Sequence, residues 1–461
     1  MNAPLVWIVF PVLMAGFLAL LSERERWMRG VAMAIPLGMA LGAQWIPIGR
    51  TLTLGPLSLE ISPQMIFFGR RFFLDNADRP LLVLVYLLLA LWFLLSFFHH
   101  TPRKLYPLGL VSISLVLTGY AVEPVYYAAI FYGYLTMASV ILLSPAGSLP
   151  SKGVLRFLAF QVLGMISILF AAWLLSWVDV DTADINLLTR TMVLMGLGFS
   201  FLLGIFPFNS WISMISEDNH PYLVSFVFNI YLNGVLLFAM KYLTETDWLL
   251  NVFDLLKPIQ LVGLLMVAVG GVSAIFVSHL GRMIGAAVIT ELGRSLLVIS
   301  LFPDGQHLYF SSLVLQGVSF GLWSLALSTY RQEREDLTYS RVEGIGTRFP
   351  IRTVGMFCGF FTLAGLPFLG GFPLHWEVGT LLIENAYWPL WPFFMGNVGL
   401  ILGGLRMLSV LSHGENESGL PQPSISAGRI FVLIGSFWLL LVGLFPHILS
   451  RWVAPMAAIF Q

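Results

Sequence analysis

A single cysteine, Cys358, is all the thiol chemistry in 461 residues. One thiol excludes disulfides within the chain, thiolate zinc sites and cysteine-ligated iron–sulfur clusters. Lysine is almost as scarce: Lys104, Lys152, Lys241 and Lys257 are the only ones among 24 lysines and arginines. Charged residues make up 10% of the chain, against about 25% in soluble domains. The 24 basic side chains offset 24 acidic ones, so nothing here attracts nucleic acid or a strongly acidic partner. A phosphate-cradling G-x-x-x-x-G-K-[ST] loop and an H-E-x-x-H metal pair are both missing. His99 and His100 are adjacent and cannot share one site on a helix face, so interfacial anchoring is expected of them rather than metal binding. The sequence offers no cofactor box and no soluble active site.

What the chain has is hydrophobicity, 58% of its residues, spread along its whole length. A membrane span needs about 20 mostly apolar residues. Helices are predicted at 5–22, 31–46, 80–98, 105–121, 125–143, 154–177, 190–216, 221–243, 259–277, 282–301, 307–330, 351–385, 388–412 and 428–448, about fourteen spans of an all-α polytopic membrane protein. The spans 190–216 and 351–385 are interrupted, at Pro207 and around Pro367, Gly370, Gly371 and Pro373. The leader Met1-Asn2-Ala3-Pro4 carries no basic residue and no small-residue cleavage site, so the first helix is expected to be retained rather than removed as a signal peptide. With the N-terminus outside, the cytoplasmic side collects more of the basic residues, among them Arg24, Arg26, Arg29, Arg103, Arg331, Arg334 and Arg341, and both termini are expected outside.

Between the spans, 51–62 alternates polar and apolar residues on either side of Gly55-Pro56, which predicts an outer β-hairpin. The charged cytoplasmic segment 331–350 reads either as a solvated linker or as a docking surface for a partner. The 37 phenylalanines and 14 tryptophans are read as lipid-facing and packing groups.

Several polar residues fall inside spans, where such groups are costly and kept for a purpose. Ser225, Asn229 and Asn233 recur every four residues and share one helix face. Glu291 and Arg294 are three apart and can pair across a turn. Ser312, Gln316 and Ser319 form a further stripe. His375 and Glu377 stand at the second interruption, and Arg406 follows in the next span. Each has a bland alternative: interhelical hydrogen bonding for the serines and asparagines, a neutralised structural pair for Glu291 and Arg294, neutralisation of an acid or a helix end for Arg406. His375 carries the strongest functional case, because imidazole titrates near neutrality.

The two interruptions resemble each other, Gly204-Ile-Phe-Pro-Phe208 in one and Gly365-Leu-Pro-Phe368 with Gly370-Gly-Phe-Pro373 in the other. Paired broken helices point to structural repeats and to transport sites. Pro207-Phe-Asn-Ser-Trp211, the acidic turn Glu217-Asp218 and Pro221 resemble the signature of antiporter-like membrane subunits, found in respiratory complex I, membrane-bound hydrogenases and Mrp-type cation/proton antiporters. Phe73-Leu-Asp75, Arg282…Glu291-Leu-Gly293, Leu366-Pro-Phe-Leu-Gly-Gly-Phe372, Arg406 and Gly443-Leu-Phe-Pro446 follow in the family's order, and the short pattern is most similar to the N-type subunit. The resemblance implies two inverted five-helix repeats, at 105–243 and 259–412, with broken helices 7 and 12. Three helices precede them in 1–104 and one follows in 428–461. It also implies a prokaryotic cytoplasmic membrane, neighbouring membrane subunits, no redox centre of its own and no cofactor beyond bound lipid.

In the family a buried glutamate and three further titratable residues, mostly lysines, cross the membrane midplane. Carried onto this chain, those positions fall at Tyr134 (or Gly133), Leu202, Asn233 and His375, and none keeps its expected residue type. Leucine cannot titrate, and asparagine can hydrogen-bond but not carry a proton as charge. Two functions stay open on the sequence. One is a subunit of a complex-I-like or Mrp-like assembly conducting protons or cations by an altered route through water, Glu291 and His375. The other is a non-pumping scaffold that anchors partner proteins.

Overall fold

The computed structural model describes residues 2–54, 57–145, 147, 149–176, 185–246, 248, 253–302, 304–413, 427–457 and 459. A backbone in hydrocarbon must satisfy its own polar groups, so an apolar chain of this length folds as helices. In chain order they are α1 (Leu5–Glu23) and α2 (Glu25–Trp45), then α3 (Arg79–Leu95), α4 (Leu105–Ala121), α5 (Ala128–Leu143) and α6 (Lys152–Leu175). Next come α7 (Ile185–Leu203), α8 (Ser210–Asp218), α9 (Pro221–Glu245), α10 (Leu256–Phe276), α11 (Leu280–Ser300) and α12 (Gln306–Glu333). The last are α13 (Pro350–Ala364), α14 (Gly371–Asn385), α15 (Leu390–Ser412), α16 (Ala427–Leu444) and α17 (His447–Ala457). Among the described residues, eleven helices are long and apolar enough to cross a membrane. The chain is an all-α, multi-pass membrane protein.

The helices differ sharply in what surrounds them. α9, α11 and α12 are almost wholly enclosed by protein, whereas α1, α6, α7 and α16 bury little more than a quarter of their length. The enclosed helices are also the ones with polar residues at depth, because a polar group facing lipid would have no partner. Close approach around them relies on glycine. A Cβ on Gly271 of α10 would stand 2.0 Å from the Gly396 carbonyl oxygen of α15, and neither backbone can give way. Gly271→Leu should therefore lower stability by about 1–3 kcal/mol, read as an earlier thermal unfolding in detergent.

Both interrupted helices end in the same way. Gly204 (φ +63°) and Gly365 (φ +75°) take the left-handed conformation that glycine tolerates. The next amide reaches back five residues, Ile205 N to Ser200 O at 2.9 Å and Leu366 N to Phe361 O at 3.0 Å. That is the Schellman closure of a helix end, after which Pro207 and Pro367 prevent the helix from resuming at once. The broken turns rest on protein: a Cβ on Gly204 would meet the Trp211 indole at 2.9 Å, and one on Gly371 would meet the Thr362 carbonyl oxygen at 1.8 Å.

The hairpin expected at 51–62 is present. β1 (Thr51–Leu54) pairs antiparallel with β2 (Leu57–Glu60), Thr51 opposite Glu60, while the turn at 55–56 lies outside the described residues. A second sheet follows that the sequence reading missed: β3 (Gln64–Phe67), β4 (Arg70–Phe73) and the short β5 (Val122–Glu123). Its turn uses Phe68 and Gly69, both at positive φ, which is what a tight two-residue hairpin demands. Phenylalanine there is not a turn signal, which is why the hairpin was invisible.

The charged segment 331–350 is folded back on the chain as two one-turn helices, Tyr339–Val342 and Ile345–Arg348. Arg331 donates to the Asp218 and Asn219 carbonyls at the end of α8, Asp336 lies 3.6 Å from His279, and Arg348 pairs with Glu333 at 3.1 Å. The four lysines all sit near helix ends. Lys104 donates to the Ile141 and Ser144 carbonyls at the end of α5, Lys241 to the Tyr120 carbonyl, and Lys257 pairs with Asp254; Lys152 opens α6 and is exposed. None reaches the interior between α9, α11 and α12.

Candidate functional site

Five side chains on four helices, together with one backbone carbonyl, form a connected line that is buried except at half-buried His375. On α9 the Asn233 amide donates to the Asn229 carbonyl at 2.8 Å and faces the Gln316 Oε1 of α12 at 3.3 Å. Gln316 in turn donates to Glu291 of α11 at 3.0 Å. Glu291 and Arg294 pair across one helical turn at 2.8 Å, both over 90% buried. Arg294 then reaches the Nε2 of His375 on α14. The line runs Asn229, Asn233, Gln316, Glu291, Arg294, His375, through the three most enclosed helices to the second broken one.

The helix break places the histidine. His375 packs into the gap left by Gly365, where a Cβ would stand 1.9 Å from its Nδ1. Since Arg294 is a donor only, His375 accepts at Nε2 and carries its proton at Nδ1. Glu291 and Arg294 cancel in charge and the remaining members are neutral. A proton added to Glu291 or His375 gives the line one positive charge, and a second is then opposed by Arg294.

Room for water accompanies the line. One cavity of about 30 Å³ is lined by Glu291, Arg294, Ser312, Gln316, Thr362 and His375 among others, and a second of about 20 Å³ by Asn229, Asn233, Glu291 and Gln316. A third, of about 40 Å³, adjoins Asn229 and Asn233 on the side of α3 and α4. About 10–15 Å³ suffices for one water where polar partners exist. Such partners are at hand: Arg294 Nε and Nη2, His375 Nδ1 and Asn229 Nδ2, on residues that line these cavities, are buried without a hydrogen-bond partner.

The remaining sequence candidates fall elsewhere. Ser312 lines the first cavity while donating to the Tyr309 carbonyl at 2.7 Å. Glu377 is not in the line; it pairs with His307, at the start of α12, at 2.9 Å and half-exposed. Arg406 donates at 2.8 Å to the Ile275 carbonyl and also faces the Val277 carbonyl, so it caps the end of α10, where a cation is favoured. Tyr134 is 59% exposed on the outer face of α5 and takes no part. Leu202 is 1% exposed and packs against α6, where a Cβ on Gly164 would meet it at 2.8 Å.

The sequence reading missed an uncharged network on the α5, α6 and α9 side. Tyr231 donates to Gln161 at 2.6 Å, Thr136 faces the Tyr231 hydroxyl at 3.4 Å, and Tyr132 donates to the Gly234 carbonyl at 2.6 Å. From the α12 side Tyr309 donates to the Asn233 backbone carbonyl at 3.1 Å. None of these groups ordinarily titrates near neutrality. The available signal was burial: Tyr132, not Tyr134, faces inward.

Two titratable groupings lie outside the spans. At the head of α3, Asp78 accepts from Tyr120 at 2.6 Å, and burial pushes its carboxyl up to about 6 although that hydrogen bond opposes the rise. His99 and His220 stack with ring centres 6.0 Å apart, and burial lowers them to about 3 and about 4; His99 is therefore a buried packing group rather than an interfacial anchor. A carboxyl raised on folding stabilises the fold only while protonated, so the Asp78 contribution is full below about 4 and lost as pH rises through about 6, a change of about 3 kcal/mol. The histidines, lowered on folding, act in the opposite sense and lose stability as pH falls. Asp78→Asn should thus gain stability over the wild type at pH 7 and lose that advantage near pH 4, measured as the difference between the two thermal unfolding curves.

A multi-pass bundle with two helices broken at depth, and buried charge beside one break, has the architecture of an antiporter-like membrane subunit. No family model matches the chain. NADH-quinone oxidoreductase subunit N of Psychrobacter arcticus is 22% identical to it over 284 residues, 59% of this chain and 58% of that one; the match spans less than two thirds of that relative. Among solved structures, a chain of the archaeal membrane-bound sulfane sulfur reductase superposes with a TM-score of 0.81 at 15% identity, covering 99% of this chain and 97% of that one. A chain of the Mrp complex from Dietzia sp. gives 0.74 at 15% identity, over 99% and 96%. The fold is that of the polytopic antiporter-like subunits, as the sequence motifs implied.

Proposed function

We propose that the chain is an antiporter-like subunit of a complex-I-like or Mrp-like assembly in a prokaryotic cytoplasmic membrane, both termini outside, and that it handles protons in its second half only. The connected line from Asn229 to His375 carries this reading, since Glu291 and His375 are its members whose side chains can both take up and release a proton. In this scheme a proton on Glu291 releases Arg294 from its ion pair, and the proton passes by cavity water to His375 Nε2 as Arg294 returns to the carboxylate. His375 then gives up its Nδ1 proton beyond the line. Tyr231, Gln161 and Leu202 in the first half offer no group that ordinarily titrates near neutrality, an altered form of the family's relay. Glu335, Arg341 and Glu343 stay exposed on the folded segment 331–350 and are the part of it free to meet a cytoplasmic partner.

Co-purification tests the assembly. Flavin and iron–sulfur proteins in the isolated complex would mark a complex-I-like setting and small membrane proteins an Mrp-like one; a chain isolated alone would contradict both. For the path, Glu291→Gln in the reconstituted complex should slow proton movement into vesicles by about tenfold or more, and an unchanged rate would overturn it.

A further inference from the structure

The largest cavity described has no part in the polar line. It is a cleft of about 290 Å³ between α7 and α10, floored by α9 and α11 and lined almost entirely by apolar side chains, among them Met195, Val262 and Leu296. That is near the lower bound of about 300 Å³ for sites that hold small molecules. Its rims, Gly196 and Pro258, are exposed, and α7 and α10 both leave much of their surface uncovered, so the cleft opens sideways from the bundle.

Two observations point to an occupant. Gly196 sits in a helix with ordinary φ, and a Cβ there would meet nothing within 4 Å. Neither backbone geometry nor packing requires a glycine, which weakens a helix, so the residue keeps open a space that α7 itself does not fill. Next, Asp254 and Lys257 form an exposed ion pair at the first turn of α10, and Leu255 and Pro258 beside them line the cleft. One charge of each sign above an apolar slot matches a phosphate and an ammonium above a hydrocarbon chain.

We propose that this cleft binds one acyl chain of a zwitterionic glycerophospholipid whose headgroup rests on Lys257 and Asp254. The phosphate meets Lys257, the ammonium meets Asp254, and the chain runs past Gly196 toward Leu296. An isoprenoid quinone would fill the slot equally but would not use the ion pair.

The test is native mass spectrometry of the intact complex after exchange into phosphatidylethanolamine-doped detergent. Wild type should retain a phosphatidylethanolamine that Gly196→Phe, filling the space without a clash, loses by about tenfold. Gly38→Phe, on an exposed position of α2 where a Cβ also meets nothing, should retain it fully. Lys257→Gln should weaken phosphatidylethanolamine without affecting added oleyl alcohol, which carries no charge. Retention by Gly196→Phe equal to wild type, or a co-purifying quinone in place of phospholipid, would overturn the proposal. If Gly196→Phe fails to fold, phosphatidylethanolamine bearing a chain diazirine decides on wild type: adducts should concentrate in 192–205 and 255–262, and even labelling of α1, α6 and α16 would count against the site.

Discussion

His375→Leu should slow proton movement by about a hundredfold in the reconstituted complex, with little loss of stability. Leucine matches the apolar surroundings of α14 and removes both ring nitrogens. The acceptor facing Arg294 and the donor at Nδ1 go together, and no other side chain of the line exchanges protons beyond Glu291. Stability should change little because His375 makes one polar contact, to Arg294, and its Nδ1 has no partner to lose. Arg294 keeps its pairing with Glu291. A purely structural histidine would behave in the opposite way, with flux kept and the melting temperature lowered, so measuring both separates the roles.

Arg294→Met should destabilise the fold by about 3–5 kcal/mol, because it strands the buried Glu291 carboxylate without its cation, with Gln316 its remaining side-chain donor. The double variant Glu291→Gln with Arg294→Met should recover most of that loss, since removing both charges also removes the desolvation cost of each. A double-mutant cycle on thermal or denaturant unfolding measures the coupling. Strict additivity of the two single losses would mean that the pair is not the neutralising contact described. Proton movement should stay low in the double variant despite its recovered stability, since Glu291 is gone.

How far these features could be read from one sequence depends on the range of the interaction. The breaks were legible because Pro207 and Pro367 interrupt apolar runs beside Gly204 and Gly365, and helix termination is local. The Glu291–Arg294 pair was legible because a spacing of three is set by the helix itself. The bonds from Asn233 to Gln316 and from Gln316 to Glu291 join residues 83 and 25 positions apart. They depend on how α9, α11 and α12 rotate against one another, which no local pattern encodes. Facing is equally hard to read: two residues along a helix is more than half a turn, so Tyr132 is buried while Tyr134 is exposed, and only the packing of α5 tells them apart. For Arg406 the expected neutralisation of a helix end could be read from one span, but only the crossing of α15 and α10 reveals which carbonyls it meets.

The lysine shortage now has a place in the structure. With Lys104, Lys152, Lys241 and Lys257 all near helix ends, the interior has Glu291, Arg294 and His375 as its charged or titratable groups along the line, all on the second half. The most direct measurement compares the two halves in one reconstituted complex, following proton movement into vesicles with a pH-sensitive dye. A first-half variant, Tyr231→Phe with Gln161→Leu, is set against a second-half variant, Glu291→Gln with His375→Leu. The expected result is a first-half rate within about twofold of wild type and a second-half rate at background. A first-half variant that stops proton movement, or a second-half variant that leaves it intact, would contradict a path confined to the second half.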